Sequence, residues 1–141
     1  MREVVLDTET TGLNPDDGDR IVEIGCVELL NHLPTGEEFH TYINPGMTMP
    51  ESAFKIHGLS DEFLRDKPGI SDVLDAFLDF LGSSTLVIHN AEFDLKFLRR
   101  EISVVGGSRE LKNQVVDTLS EARKKFPGAQ ASLDALCRRF K

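Results

Sequence analysis

The sequence predicts an α/β protein built on a mixed five-stranded sheet, three antiparallel strands followed by two parallel ones, with helices packed on its faces. Three observations carry this. As far as Ile43 the apolar residues recur mainly at every second position, the spacing of half-buried strands. After the break at Asn44-Pro45-Gly46 they recur at three and four positions, the spacing of amphipathic helices. Within that second part, Thr85 leads into Leu86-Val87-Ile88, a short run of the kind buried in a parallel sheet between helices.

The elements follow in order. A first strand from Glu3 to Glu9 ends in a turn, Thr10 to Gly12, and Leu13-Asn14-Pro15-Asp16-Asp17-Gly18-Asp19 is loop chemistry throughout. Arg20 to Leu30 is a long β-rich run, and Gly36 to Ile43, with Phe39 and Tyr42, is its antiparallel partner. Pro50 to Ile56 is a short helix stopped by Gly58, which suits a left-handed cap. Ser60 caps another, with Asp61 and Glu62 in its first turn, and Lys67-Pro68-Gly69 breaks it. Ser71 is expected to cap a third, whose stripe is Val73, Leu74, Phe77, Leu78 and Leu81, with Asp72, Asp75 and Asp79 on its wet face. The fourth strand, Thr85 to Ile88, gives way to a helix from Ala91 to Val104, with Asn90 as its N-cap and Gly106-Gly107 closing it. Val115-Val116 is a fifth strand, followed by a helix from Thr118 to Phe126 and a Pro127-Gly128 break. Ser132 caps a last amphipathic helix carrying Leu133, Leu136, Cys137 and Phe140.

Two acidic elements stand out against this frame. Val4-Val5-Leu6 runs straight into Asp7-Thr8-Glu9, and residues two apart on a strand share a face, so the two carboxylates stand side by side. Such a pair at a buried strand end is costly, because each acid raises the pKa of the other and both lose water. A hard divalent cation, which takes oxygen ligands, removes that cost. The alternative is a solvated strand end bearing two chance acids. In the second element, His89-Asn90-Ala91-Glu92-Phe93-Asp94, the stripe Ala91, Leu95, Leu98, Ile102 puts Asp94 along the buried side of its helix, with Glu92, Lys96 and Arg99 opposite. A first-turn acid serving only the helix dipole has no need to face inward. Asp7, Glu9 and Asp94 are therefore the candidate catalytic and metal-ligating residues.

Composition limits the rest. The 141 residues are one domain's worth, and 40% hydrophobic residues with nine Phe exclude a disordered or fibrous chain. No apolar run is long enough to span a membrane, and Met1-Arg2-Glu3 leads into a strand without a signal-peptide pattern. The two cysteines, Cys26 and Cys137, lie in apolar surroundings far apart in sequence; they fit small core residues in a reducing, cytoplasmic compartment, with a disulfide possible but unsupported. Twenty-four acids against sixteen bases give a net charge of -8, which argues against any nucleic-acid binding driven by a broad basic surface.

Taken together, Asp7-Thr8-Glu9-Thr10-Thr11-Gly12-Leu13, His57-Gly58-Leu59, His89-Asn90-Ala91-Glu92-Phe93-Asp94, Val116-Asp117-Thr118-Leu119 and Ser132-Leu133-Asp134-Ala135-Leu136-Cys137 resemble, in this order, the DEDDh-type 3′-5′ exonucleases. Within them the last two segments are most similar to the proofreading epsilon subunits of bacterial DNA polymerase III. The resemblance spans essentially the whole chain and implies a ribonuclease-H-like sheet. It also implies a two-metal enzyme using Mg²⁺ or Mn²⁺ that removes nucleotides from a single-stranded DNA 3′ end, releases a nucleoside monophosphate and serves the catalytic subunit of a replicative polymerase. On that pattern Asp7 bridges both metals, Glu9 holds the tighter one and Asp94 acts on the second. Thr10, Gly12 and Leu13 meet the terminal nucleotide, with Leu13 as a wedge against the bases; Ser52 contacts the sugar. His57 reaches the 3′-hydroxyl or, on the bland reading, complements its helix dipole. Asn90 bonds near the phosphates or simply caps its helix, and Phe93 stacks on a base or fills the core.

The family pattern has one more motif, a histidine followed five residues later by aspartate, on a helix after the Ser132 segment. None of His32, His40, His57 and His89 has an Asp at that spacing, and Asp117 and Asp134 match structural positions of the family. The expectation is a single exonuclease domain, residues 1–141, cut short before its last catalytic helix and impaired as it stands. Two rivals remain: an RNA-directed DEDDh exoribonuclease, and an inactive module that binds nucleic acid or a polymerase. An aspartyl-phosphate phosphatase is disfavoured, because Glu9 stands where a second Asp belongs.

Overall fold

A computed structural model of the protein describes residues 1–106 and 108–125. Gly107, Phe126, the Pro127-Gly128 break and the Ser132–Phe140 helix, with Asp134 and Cys137, lie outside the described residues.

The sheet is five-stranded and mixed, in the order β3-β2-β1-β4-β5. Its strands are β1 (Arg2–Thr10), β2 (Ile21–Leu30), β3 (Leu33–Tyr42), β4 (Thr85–Ile88) and β5 (Val115–Asp117). β1 to β3 form the expected antiparallel meander, while β4 runs parallel to β1 and β5 parallel to β4. The expected ribonuclease-H-like architecture is present. β1 is central; β4 pairs with it from Glu3 to Val5 only, so its chemistry-bearing end is held by β2 and left open on the β4 side.

β3 begins earlier than Gly36, the expected start. A two-residue turn, Asn31 and His32, joins it to β2 with both residues at positive φ. Such turns match the twist of the flanking strands, but histidine does not advertise one in a sequence. Gly36 itself has a φ of 91° and lies beside the register shift between Val27 and Leu29.

The helices are α1 (Glu51–His57), α2 (Asp61–Leu64), α3 (Ile70–Leu81), α4 (Ala91–Val105) and α5 (Thr118–Lys125). Gly58, at φ 74°, ends α1 as expected, and Ser60 accepts from the Phe63 N–H. The expected cap on α3 is corrected: the helix starts from Gly69, not Ser71. Asp72 is its device, accepting the Gly69 N–H at 3.2 Å, because a carboxylate three residues on can reach back to the first free donor. Asp75 and Asp79 do lie on the wet face, both paired with Arg109.

The main core joins Val4, Leu6, Ile24 and Cys26 of the meander to Leu74, Phe77, Leu78 and Leu81 of α3 and to Phe97, Leu98 and Ile102 of α4. A smaller cluster of Val22, Met49, Ala53 and Leu64 fixes α1 and α2 beside the sheet. Arg2 locks the far end: its guanidinium pairs with Glu28 and donates to the Phe80 and Leu81 carbonyls, the free acceptors at the C-terminus of α3.

Candidate active site

β1 alternates. Val4, Leu6, Thr8 and Thr10 are buried, while Asp7 is exposed and Glu9 half-buried on the opposite face. Asp7 and Glu9 therefore stand together, as their spacing requires. Between Glu9 and Thr10 the pairing with β2 slips by one residue, leaving Val22 extra and re-aiming the end of the strand. Asp94, one turn into α4, is 4% exposed and takes a 2.5 Å hydrogen bond from the Thr8 hydroxyl. It thus meets β1 through the residue lying between the two other acids.

Asp7 acts on Glu9, and both act on Asp94. Desolvation raises Asp94 most, to about 7, and the Thr8 hydrogen bond opposes this only in part, while Asp7, Glu9 and Asp117 push it further up. Glu9 is raised by desolvation and then by Asp7, with His57 opposing. Asp7 is raised by desolvation and by Glu23 against the Thr8 backbone N–H and His89. Among the described residues no three His, Cys, Asp or Glu side chains are drawn tightly enough together to grip one ion. The donor set nevertheless fits a hard divalent cation: carboxylate oxygens only, acids that destabilise each other when ionised, and one that keeps its proton near neutrality without a counter-charge.

Beside Glu9 a cleft of about 230 Å³ opens, lined by Thr8, Glu9, Thr10, Gly12, Leu13, Ser52, Ala53, Ile56, His57 and Phe93. Six of the seven sequence-predicted substrate residues line it: Thr10, Gly12, Leu13, Ser52, His57 and Phe93. Leu13, 82% exposed, and Ile56, 78% exposed, present bare apolar surface there. His57 is held at both nitrogens: the Leu59 N–H donates to Nδ1 at 3.0 Å, which leaves Nε2–H to donate to the Thr10 carbonyl at 3.1 Å. Phe93 is half-buried and packs on Phe97 with ring centroids 5.1 Å apart, so it is at once core edge and cleft wall.

Asn90 is the seventh, and its expected cap is corrected. It sits in the left-handed region, φ 62°, and its side chain makes no capping bond. Asp117 caps α4 instead, its carboxylate accepting the Asn90 and Ala91 N–H groups at 3.0 Å each and also the Leu119 N–H. Burial works to raise Asp117, but the donors from Ala91, Ser120, Asn90 and Leu119 outweigh it and hold the carboxyl below its usual value. Sequence periodicity missed this role because a cap supplied from another strand leaves no local signal. Gly12 was read for its backbone N–H; the structure gives a steric reason, since a Cβ there would meet the Asp19 carboxyl at 2.3–2.5 Å.

Comparison with known proteins decides the family. A sequence profile described as "Exonuclease" matches residues 4–141. The chain belongs to the exonuclease family. Among curated members, the DNA polymerase III subunit epsilon of Rickettsia prowazekii (strain Madrid E) is 55% identical over the whole chain and 63% of its own length. That of Salmonella typhimurium is 47% identical over 99% of the chain and 60% of its own length. The chain spans a little under two thirds of these exonuclease relatives. Of solved structures, exonuclease X in complex with 5′ overhanging duplex DNA superposes with a TM-score of 0.78 at 28% identity, covering 97% of this chain and 72% of that one. Product-bound exonuclease I, at 18% identity and a TM-score of 0.75 over 92% of this chain and 33% of its own, shares the fold.

Proposed function

We propose that this chain carries the metal and nucleotide site of a 3′-5′ exodeoxyribonuclease that proofreads for the catalytic subunit of a replicative polymerase. What supports the reading is Glu9 on the wall of an apolar-lipped cleft, with Asp7 beside it on one face of β1 and both acids raising the buried Asp94. Likeness to epsilon subunits over the whole chain supports DNA as substrate and a polymerase as partner. We place the activity in the cytoplasm; among the described residues no helix is long and apolar enough to cross a membrane.

Asp7, Glu9 and Asp94 would hold two divalent cations, Mg²⁺ or Mn²⁺. Such ions activate a water and stabilise the leaving oxygen of a phosphodiester. Asp94 must give up its proton to serve, which its pKa of about 7 permits near neutrality. Leu13 and Ile56 bound the cleft with apolar surface suited to the face of a base. The His57 imidazole, tied to Thr10 and Leu59, would reach a terminal 3′-hydroxyl by exchanging its bond to the Thr10 carbonyl for one to the nucleotide, with Ser52 for the sugar. Phe93 backs the cleft from α4. The net charge of -8 favours a frayed single strand over a duplex.

The proton acceptor is proposed to lie outside these residues, since no histidine here has the family's Asp spacing. The test is degradation of 3′-labelled single-stranded DNA with Mn²⁺, using the chain alone and the chain fused to the C-terminal remainder of the Rickettsia relative. The expected result is metal and nucleoside monophosphate binding without turnover by the former, and stepwise 3′-5′ release by the latter. Faster cleavage of RNA than of DNA would favour the RNA-directed reading. Absence of Mn²⁺ binding by both proteins would favour an inactive binding module.

A further inference from the structure

We propose that the ion pair between the buried Glu101 and the half-buried Arg20 positions the cleft, fixing the loop that carries Leu13 against the helix that carries Phe93. The two walls come from distant parts of the chain, and this pair links them. Glu101 lies two turns after Asp94 on the same face of α4 and is 2% exposed. Its Oε1 accepts from Arg20 Nε at 2.8 Å, while its buried Oε2 has no hydrogen-bond partner among the described residues.

Arg20 closes the loop as well as reaching the helix. Its N–H donates to the Thr11 hydroxyl at 3.0 Å, and its carbonyl accepts the Thr11 N–H at 2.9 Å. The Thr11 hydroxyl donates in turn to Asp19, whose other oxygen accepts the Asn14 N–H and whose carboxyl packs on Gly12. Displacement at Glu101 therefore passes through Arg20, Thr11 and Asp19 to Gly12 and Leu13. The other polar link between loop and helix, Lys96 with Asn14 and Asp16, is exposed and weak.

Stability alone does not account for the pair. A buried carboxylate with one oxygen left over is a poor source of stability, which apolar residues of similar volume often match. The role assigned to the pair here is instead a fixed orientation of the loop against the helix. Arg20 and Glu101 are accordingly positioning residues for the nucleotide site, and the inference rests on the cleft being that site.

The test is the double variant Arg20→Met/Glu101→Leu, since either single change strands a buried charge or an open loop. Three quantities are read: thermal unfolding, amide hydrogen exchange, and affinity for Mn²⁺ and for thymidine monophosphate in its presence. Expected are cooperative unfolding within a few degrees of wild type and exchange about 10-fold faster at residues 12–19 with β1 unchanged. Nucleotide affinity should fall about 5-fold while Mn²⁺ affinity stays within about 2-fold. A double variant that fails to fold, or one that keeps wild-type loop exchange, overturns the proposal. If the wild type binds neither Mn²⁺ nor nucleotide, it is the reading of the cleft that fails; loop exchange still decides whether the pair fixes the loop.

Discussion

Asp117 and Asp94 stand on either side of the α4 N-terminus under opposite regimes. Asp117, only partly covered, accepts backbone N–H groups from Asn90, Ala91, Leu119 and Ser120, and these outweigh its desolvation and hold its carboxyl below its ordinary value. Asp94 has, among the described residues, the Thr8 hydroxyl alone, and desolvation carries it to about 7. A carboxylate that serves the fold is supplied with donors until it is content as an anion. The other is left short of them and surrounded by acids, a state that costs stability and suits a cation. Burial and donor supply differ together between the two: Asp117, only partly covered, has four backbone donors, whereas the 4%-exposed Asp94 has one side-chain donor among the described residues.

The sharpest break of this contrast is metal binding. Asp7→Ala should weaken Mn²⁺ binding by about 100-fold or more in calorimetry, whereas Asp117→Asn, in a protein that stays folded, should leave it within a few-fold. The next is stability. Asp117→Ala opens the starts of α4 and α5 together and should cost about 2–3 kcal/mol in urea unfolding. Asp94→Asn, which keeps an acceptor for Thr8, should instead stabilise the metal-free protein by about 2 kcal/mol at pH 7.5. The signs should also part with pH. Asp94 is raised, so its contribution is fully present below 3.8 and lost as pH rises through about 7; the advantage of Asp94→Asn should grow across that window. Asp117 is lowered, so its contribution is present above 3.8 and lost as pH falls through its depressed value. The smallest effect is at Asn90. Asn90→Gly should change stability by less than about 0.5 kcal/mol, because the side chain caps nothing and glycine accepts φ 62°.

How much of this was legible in the sequence follows from where the determinants lie. The strand–helix order, the left-handed stop at Gly58 and the inward face of Asp94 are written in local spacing, and each is found as read. The Asn31–His32 turn carries no glycine, and positive φ is uncommon at any other residue, so the sequence did not mark it. The bulge at Val22, the cap supplied by Asp117 and the burial of Glu101 depend on residues brought together from far along the chain. Periodicity placed Leu95 on the buried stripe, yet Leu95 is only partly covered, and Phe97 and Glu101 hold the core side instead. The cleft was legible residue by residue through resemblance, except for Ile56 and Ala53, which carry no motif.

On the proposed reading, Asp94 releases its proton to the buffer when a cation shared with Asp7 and Glu9 binds. Calorimetric Mn²⁺ titration in buffers of different ionisation enthalpy measures that proton directly. Close to one proton per chain should be released on binding at pH 6 and almost none at pH 8.5, with no such pH dependence in Asp94→Asn. Proton release that is the same at both pH values, or unchanged by Asp94→Asn, would contradict the account.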